Sequence, residues 1–251
     1  MHSSKNMAAT ALRLSVTNCF LLPVGGKFVL IDTGYDWEWP AFQTKLKRSG
    51  IAFGDITHVI LTHHHDDHAG LLNFVVERNP SVAVVMSIHA RDLLAKGHND
   101  HSRGGGYVNR RVNFLLRLKA ALDKKWTHTF PPYAVRANDI LIEKPTSLRE
   151  TGIALAGSIL LTPGHSTDSI SVVLEDGDSY IGDAAAKFLR FAGTKYCIIY
   201  IEDLDQYYAS WRQLIQSGAT RLNPAHGKPF GIEKLAKYIG RNRARNMVQV
   251  P

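Results

Sequence analysis

Cysteine is almost missing: the 251 residues hold two, Cys19 and Cys197, too few and too far apart for a disulfide framework. That excludes the small disulfide-stapled folds and suits a reducing compartment, with both thiols expected as buried small hydrophobes rather than ligands. Long apolar runs are missing as well. No stretch approaches the roughly 20 apolar residues that a membrane-spanning helix requires, so no membrane partner is expected. The opening segment, MHSSKNMAAT, lacks an apolar core followed by a small-residue cleavage site. A secretory signal is therefore not expected, and the protein is expected to be cytoplasmic, with its first residues frayed. Internal repeats and low-complexity tracts are also absent.

What is present is ordinary for a globular chain: 45% hydrophobic and 21% charged residues, in a length sufficient for one large layered α/β core. The formal charge of +8 comes from 30 basic against 22 acidic side chains and points to an anionic partner, though charge speaks to steering and solubility more than to fold. Some of the excess is clustered, in Arg110, Arg111, Arg117, Lys119, Lys124 and Lys125 and again in Arg241, Arg243 and Arg245.

Leu12 to Val16 alternates apolar and polar residues, and Cys19 to Leu22 runs apolar up to Pro23 and the Gly25-Gly26 turn. This predicts a hairpin whose return strand, Lys27 to Ile31, stops at Asp32-Thr33-Gly34. Trp39 to Ser49 reads as a helix stopped by Gly50, and Val59-Ile60-Leu61 as a short buried strand. Ala69 to Arg78 reads as a helix, Val82 to Met86 as a strand and Ala90 to Lys96 as a helix. From Gly97 to about Pro145 the pattern changes, with a Gly104-Gly105-Gly106 break, a basic amphipathic helix over Val108 to Leu122 and a second break at Pro131-Pro132. We read residues 97–145 as an insertion or lid within a single domain spanning 1–251. Tyr107, Trp126, Phe130 and Tyr133 could line such a lid, or the helix could simply pack with its basic face outward. Strands are expected at Ile153 to Leu161, Ile170 to Leu174, Ser179 to Ile181 and Arg221 to Asn223. Helices are expected at Asp205 to Ser217 and Ile232 to Asn242. Strands precede helices in both parts, as in two α/β halves of one domain.

Chemistry concentrates between the strand ending at Leu61 and the helix after it, in Thr62-His63-His64-His65-Asp66-Asp67-His68. Imidazole and carboxylate suit zinc and similar first-row ions. On extended backbone His63 and His65 point the same way, while Asp67 and His68 follow on the turn and can face a second position. His64 and Asp66 then point elsewhere. Three further strand ends carry one ligand-type residue each in a turn: His165 after Thr162-Pro163-Gly164, Asp183 after Ile181-Gly182, and His226 after Asn223-Pro224-Ala225.

The order His63-x-His65-x-Asp67-His68, then His165, Asp183 and His226, resembles the metallo-β-lactamase superfamily of binuclear metal hydrolases. The likeness extends to Thr17-Asn18-Cys19-Phe20 and the Asp32-Thr33-Gly34 turn and is weakest from Gly97 to Pro145. The resemblance implies a four-layer αββα sandwich, an α/β fold, with the metals at one edge between the sheets. It implies that His63, His65 and His165 hold one ion, Asp67, His68 and His226 a second, and that Asp183 bridges both. Two divalent ions are implied, zinc first, with manganese or iron as alternatives. Asp67 is implied as the catalytic residue that assists proton transfer to the leaving group.

Other residues stay open between roles. His58, His64 and Asp66 could orient the ligating imidazoles but are expected in ordinary surface or turn positions. His98 and His101 could reach the mouth of the site from the insertion, but His89, His98, His101 and His128 are expected as solvated histidines. Asp32 either supports the site from behind or bonds its own turn. Asp168, where many relatives have glycine, either bonds an imidazole or caps its turn.

The resemblance implies a hydrolase in which metal-bound hydroxide attacks a small ester, lactone or thioester, with a small-molecule substrate that the basic charge allows to be anionic. Phosphodiester cleavage, as a nuclease or phosphodiesterase of the same superfamily, is the alternative, motivated by the charge but without any recognisable nucleic-acid module. A non-catalytic metal-binding protein is the third reading, which predicts eroded ligands where none is eroded. β-Lactam hydrolysis is disfavoured, since Asp183 stands where one major lactamase class has cysteine. A glyoxalase II role has little room for its helical domain after His226. A flavodiiron role conflicts with His65, where those proteins usually have glutamate.

Overall fold

The computed structural model describes residues 9–122 and 127–250. The expectations placed on the first residues, Lys124, Lys125 and Trp126 lie outside the described residues. The first half opens with three antiparallel strands, β1 (Thr10–Arg13), β2 (Asn18–Val24) and β3 (Lys27–Ile31), and continues with α1 (Trp39–Arg48) and β4 (Ile56–Ile60). After β4 come α2 (Asp66–Ala69), α3 (Leu72–Arg78), β5 (Ala83–Ser87) and α4 (Ala90–Lys96). The helix expected from Ala69 to Arg78 is thus two helices broken at Gly70-Leu71. A Cβ on Gly70 would meet backbone atoms of Asp36, Asp66 and Gly34 at 2.5–2.7 Å, so the break is where the chain crosses close to the Gly34 turn.

The middle segment supplies β6 (Gly106–Tyr107), α5 (Arg110–Leu122) and β7 (Ile140–Ile142). The second half contains β8 (Thr146–Ser147), β9 (Gly157–Leu161), β10 (Ile170–Leu174), β11 (Asp178–Tyr180), β12 (Tyr200–Ile201), α6 (Leu204–Gln216), β13 (Arg221–Asn223), β14 (Phe230–Gly231), α7 (Glu233–Tyr238) and β15 (Val248–Gln249). The strand expected from Ile153 begins only at Gly157, and the last helix is shorter than expected, ending at Tyr238.

Two six-stranded mixed sheets form, in the orders β1-β2-β3-β4-β5-β7 and β14-β13-β11-β10-β9-β8, with a small third sheet of β12-β6-β15. Alternation along each strand sorts the side chains onto two buried faces. Phe20, Leu22, Val29 and Ile31 meet Ile159, Ile170, Val172 and Tyr180 between the sheets. Cys19, Leu21 and Leu30 turn to the other side and pack under α1, α3 and α4 with Phe42, Leu46, Val75 and Leu94. On the far face of the second sheet, Ile181 and Leu222 pack with Tyr207, Trp211 and Leu214 of α6 and Leu235 of α7. Helices, sheet, sheet and helices are therefore stacked as the four layers of an αββα sandwich.

Residues 97–145 are woven into these layers. Ile140–Ile142 is the edge strand of the first sheet, pairing in parallel with β5. Phe130 and Tyr133, considered above as lid residues, are buried in the core beneath the first sheet's helices. Val112 and Leu116 anchor α5 to the second half. No helix among the described residues is long and apolar enough to cross a membrane.

Candidate metal centre

Each ligand-type residue leaves the C-terminal end of a strand. β4 runs through Leu61 and Thr62 into His63, His64 and His65, and His65 precedes the short α2 that carries Asp67 and His68. β9, β11 and β13 deliver His165, Asp183 and His226 within a few residues of their ends. Because β11 and β13 run parallel, Asp183 and His226 emerge on the same edge. The turn before His165 needs glycine: Gly164 has φ +128°, and a Cβ there would collide with the backbone of Tyr207 in α6.

All seven expected residues come together. His165 Nε2 lies 3.1 Å from His63 Nε2 and 2.9 Å from His65 Nδ1. That is close to the roughly 3.3 Å separation expected of two nitrogens sharing a tetrahedral zinc ion. On the other side, His226 Nε2 is 3.1 Å from Asp67 Oδ2, and His68 Nε2 is 3.6 Å from Asp67 Oδ1. Asp183 stands between the groups, its Oδ2 3.5 Å from His165 Nε2 and its Oδ1 3.4 Å from His226 Nε2 and 3.7 Å from His68 Nε2. The groups His63-His65-His165, His63-His68-Asp183 and Asp67-His68-His226 each bring their ligand atoms within 4.8 Å of one another.

Three of the imidazoles are held at Nδ1 by partners that leave Nε2 facing the cluster. His165 Nδ1–H donates to the Tyr200 carbonyl at 2.9 Å and His226 Nδ1–H to the Val16 carbonyl at 3.0 Å. His68 Nδ1–H donates to Asp32 Oδ2 at 2.9 Å. Each bond selects the tautomer whose Nε2 lone pair faces inward. His68 Nε2 and Asp183 Oδ1 are buried there without a hydrogen-bond partner, an expensive arrangement that a cation resolves. The donor set and its geometry thus fit a two-metal centre.

Electrostatics divide the cluster in the same way. Burial, reinforced by the surrounding imidazoles, pushes His63 and His65 well below the usual histidine range. Burial also lowers His165, against the pull of Asp183. These rings are neutral and ligand-competent. Burial would lower His68 too, but Asp67, Asp32 and Asp183 outweigh it and hold it at about 9. Burial acts downward on His226 likewise, and Asp183 and Asp67 override it. Burial opposes ionisation of Asp67 and Asp183, yet His68 and His226 keep both below the usual carboxylate range. The second group therefore pairs ionised carboxylates with protons on His68 and His226, protons that a bound metal ion would displace.

Asp32 bonds across rather than within its own turn. Held at φ +57° and buried, it accepts from Thr62 N at 2.8 Å and Thr62 Oγ1 at 2.8 Å as well as from His68. Asp168 bonds an imidazole, and the imidazole is that of His64: their side chains meet at 3.0 Å, fully buried, and Asp168 Oδ2 also accepts from His64 N at 2.8 Å. His64 and Asp66 do point away from the cluster, but the surface positions expected for them are wrong. Both are buried, Asp66 being clamped by Asn99, whose Nδ2 donates to it at 2.8 Å and whose Oδ1 accepts from Asp66 N at 2.8 Å. Burial, with repulsion from Asp67, lifts Asp66 to about 7. His58 is half-buried, with Nδ1 3.0 Å from Thr57 Oγ1.

His89 and His98 are exposed, as expected, whereas His101 and His128 line the cavity beside the cluster with His65 and Asp66. Residues that belong to the family likeness but were given no role from sequence also brace the site. Thr17 Oγ1 donates to Asp67 Oδ2 at 3.0 Å, and Asn18 Nδ2 donates to the carbonyls of Ala225 and Gly227 at 3.0 and 2.9 Å, pinning the His226 turn. Their position at the start of an apolar strand was visible; partners 50 residues away for Thr17 and more than 200 for Asn18 were not.

A protein-family model described as Metallo-beta-lactamase superfamily matches residues 12–226. Among curated proteins, the chain is 26% identical over 228 residues to the probable metallo-hydrolase YqjP of Bacillus subtilis, covering 82% of this chain and 66% of that protein. It is 26% identical over 244 residues to the thioesterase pkgB of Emericella nidulans, covering 94% of this chain and 53% of that one. The chain thus spans between about half and two thirds of these relatives. Among solved structures, BJP-1, a subclass B3 metallo-β-lactamase of Bradyrhizobium japonicum, superposes with a TM-score of 0.64 at 15% identity, over 93% of this chain and 87% of that one. At that identity the likeness is one of fold.

Proposed function

Because the chain belongs to the metallo-β-lactamase superfamily, we propose that it is a hydrolase working with two divalent metal ions, zinc first, on a small ester, lactone or thioester. The observation that carries this reading is the placement of Asp183, with one carboxylate oxygen toward each of two ligand groups. His63, His65 and His165 would hold one ion, Asp67, His68 and His226 the other, and Asp183 both. When bound, such a pair supplies Lewis acidity and brings the pKa of water toward neutrality.

The chain's own side chains do the rest. Asp32 and the Tyr200 and Val16 carbonyls hold three imidazoles in the tautomer and orientation that ligation needs. Asp67 lines the cavity with its side chain 13% exposed and is steadied by Thr17. From there its ionised carboxylate takes the proton given up by the attacking water and passes it to the departing oxygen or sulfur. The thioesterase among the relatives supports including thioesters, and the apolar walls of the cavity favour a carbonyl substrate over a phosphodiester backbone. The net charge of +8 supports an anionic substrate. The two free, buried cysteines are in keeping with a reducing, cytoplasmic setting.

The test is a panel of activated esters, lactones, thioesters and a bis-aryl phosphodiester, offered to zinc-reconstituted protein and to His65→Ala. Turnover of a carbonyl substrate that His65→Ala loses by a factor of at least 100 is expected. Turnover of the phosphodiester alone would move the reading to nuclease-type chemistry. No turnover, with fewer than two ions bound per chain, would leave a non-catalytic metal protein.

A further inference from the structure

A cavity of about 270 Å³ opens directly beside the metal-ligand cluster, and its walls change character with distance from it. At the inner end are His65, Asp67, His165, Asp183 and His226. Beyond them the mostly apolar chamber runs between α5 and the segment 188–199, lined by Leu115 and Lys119 on one side and by Phe188, Leu189, Phe191 and Ile199 on the other. Phe188 connects the two ends, its ring centroid 6.1 Å from that of His226.

Two features of this wall are costly for folding, although Leu189 also packs partly against the core. Leu189, an aliphatic residue, is held in the left-handed region at φ +45°. Such a conformation costs on the order of 1–3 kcal/mol and tends to gather at ligand-contacting loops. Phe191 lines the chamber with 77% of its surface exposed. Exposed Leu118 and Leu122 follow on the adjacent flank of α5, so apolar surface continues from the chamber over its rim.

We propose that this chamber is an acyl-chain site: the substrate's acyl group is an unbranched apolar chain that lies between α5 and residues 188–199, with its carbonyl carbon at the cluster. The proposal rests on the hydrolase reading above and names its substrate class. Hydrolysis then places one water across the acyl bond, leaving a fatty carboxylate in the chamber and releasing the alcohol or thiol. A chain in such a chamber is favoured through each methylene removed from water, about 0.8 kcal/mol apiece or roughly fourfold in affinity.

The test has two arms, both on zinc-loaded full-length protein. Calorimetry measures binding of acetate, butanoate, hexanoate and octanoate, and steady-state kinetics measures the matching 4-nitrophenyl esters and acyl thioesters. Affinity and kcat/KM are both expected to rise roughly fourfold per methylene. Leu115→Trp, which fills the chamber, should cut the octanoate-to-acetate affinity ratio by at least tenfold. Phe191→Ser, at a position 77% exposed, should lower the same ratio severalfold with the melting temperature unchanged. Ester turnover indifferent to chain length, with octanoate bound no more tightly than acetate, overturns the proposal and leaves the hydrolase reading standing. Carboxylate affinity that climbs with length, without turnover of any ester, supports the chamber and overturns the hydrolase reading.

Discussion

At the scale of the residue, two buried carboxylates of this protein hold histidines. Asp32 and Asp168 do so with different objects, since Asp32 fixes His68 in the cluster and Asp168 fixes His64 outside it. Asp32→Ala is therefore expected to weaken zinc binding by about 10–100-fold, read by competition with a chromogenic chelator. Asp168→Ala should instead destabilise the fold by about 2–5 kcal/mol in urea unfolding, because it strands the His64 backbone N–H and ring donor in a dry site. Glu202 differs from both, being set apart by its proton. Burial, aided by Asp168, lifts its carboxyl from the ordinary 4.5 to about 7. In the metal-free protein the folded state keeps this proton while the unfolded chain has lost it, so stability declines as pH rises from about 4.5 to about 7 and is then flat. Glu202→Gln should remove that decline, leaving a variant equal to wild type at pH 4 and more stable at pH 8. Chelator-treated protein melted across that range gives the answer. Parity along the extended backbone made it legible that His64 and Asp66 face away from His63 and His65. It did not say that the opposite side was also interior.

At the scale of the element, strand ends decide what the site is. Four loops leaving β4, β9, β11 and β13 bring ligand-type residues to one edge, and glycines let them approach the neighbouring chain. Gly164→Ala would have to adopt φ +128° and displace the backbone at the start of α6. We expect a loss of about 2–4 kcal/mol in stability together with weaker zinc binding through the displaced His165, measured by urea unfolding and chelator competition. Most elements were legible because their signals are local: the apolar run of Cys19 to Leu22, the β-branched run of Val82 to Met86, the glycine after Lys96; the alternation of Leu12 to Val16 misled, since the strand there is Thr10–Arg13. The errors share a tertiary cause. Gly70 breaks a helix because the Asp36 and Gly34 backbones pass beside it. Residues 97–145 look like an insertion in sequence, yet Ile140–Ile142 completes a sheet edge and Phe130 and Tyr133 fill a core.

At the scale of the whole molecule, the cluster ties the two halves together, since His63, His65, Asp67 and His68 come from the first and His165, Asp183 and His226 from the second. An ion bound across that seam stabilises the fold by mass action, about 4 kcal/mol at a free concentration 1,000 times Kd. For a chain of this size the melting temperature should rise by about 10 °C on saturation with zinc. His65→Ala should lose most of the rise, as differential scanning fluorimetry with and without chelator would show. An unchanged melting temperature in the wild type would mean that no ion spans the seam.

The sequence by itself determined the chemistry available: four histidines and two aspartates in one short loop, three more ligand-type residues at later strand ends, and the order that resembles a two-metal family. Those signals survive in one dimension because they depend on spacing and on local backbone period. Only the tertiary structure decided which atoms face which, because the deciding contacts join residues far apart in the chain, such as His64 with Asp168 at a separation of 104 and His226 with Val16 at 210. It decided likewise that α5 and residues 188–199 enclose an apolar chamber. Neither segment carries a motif, and the chamber exists only because both are packed against the same edge of the sandwich.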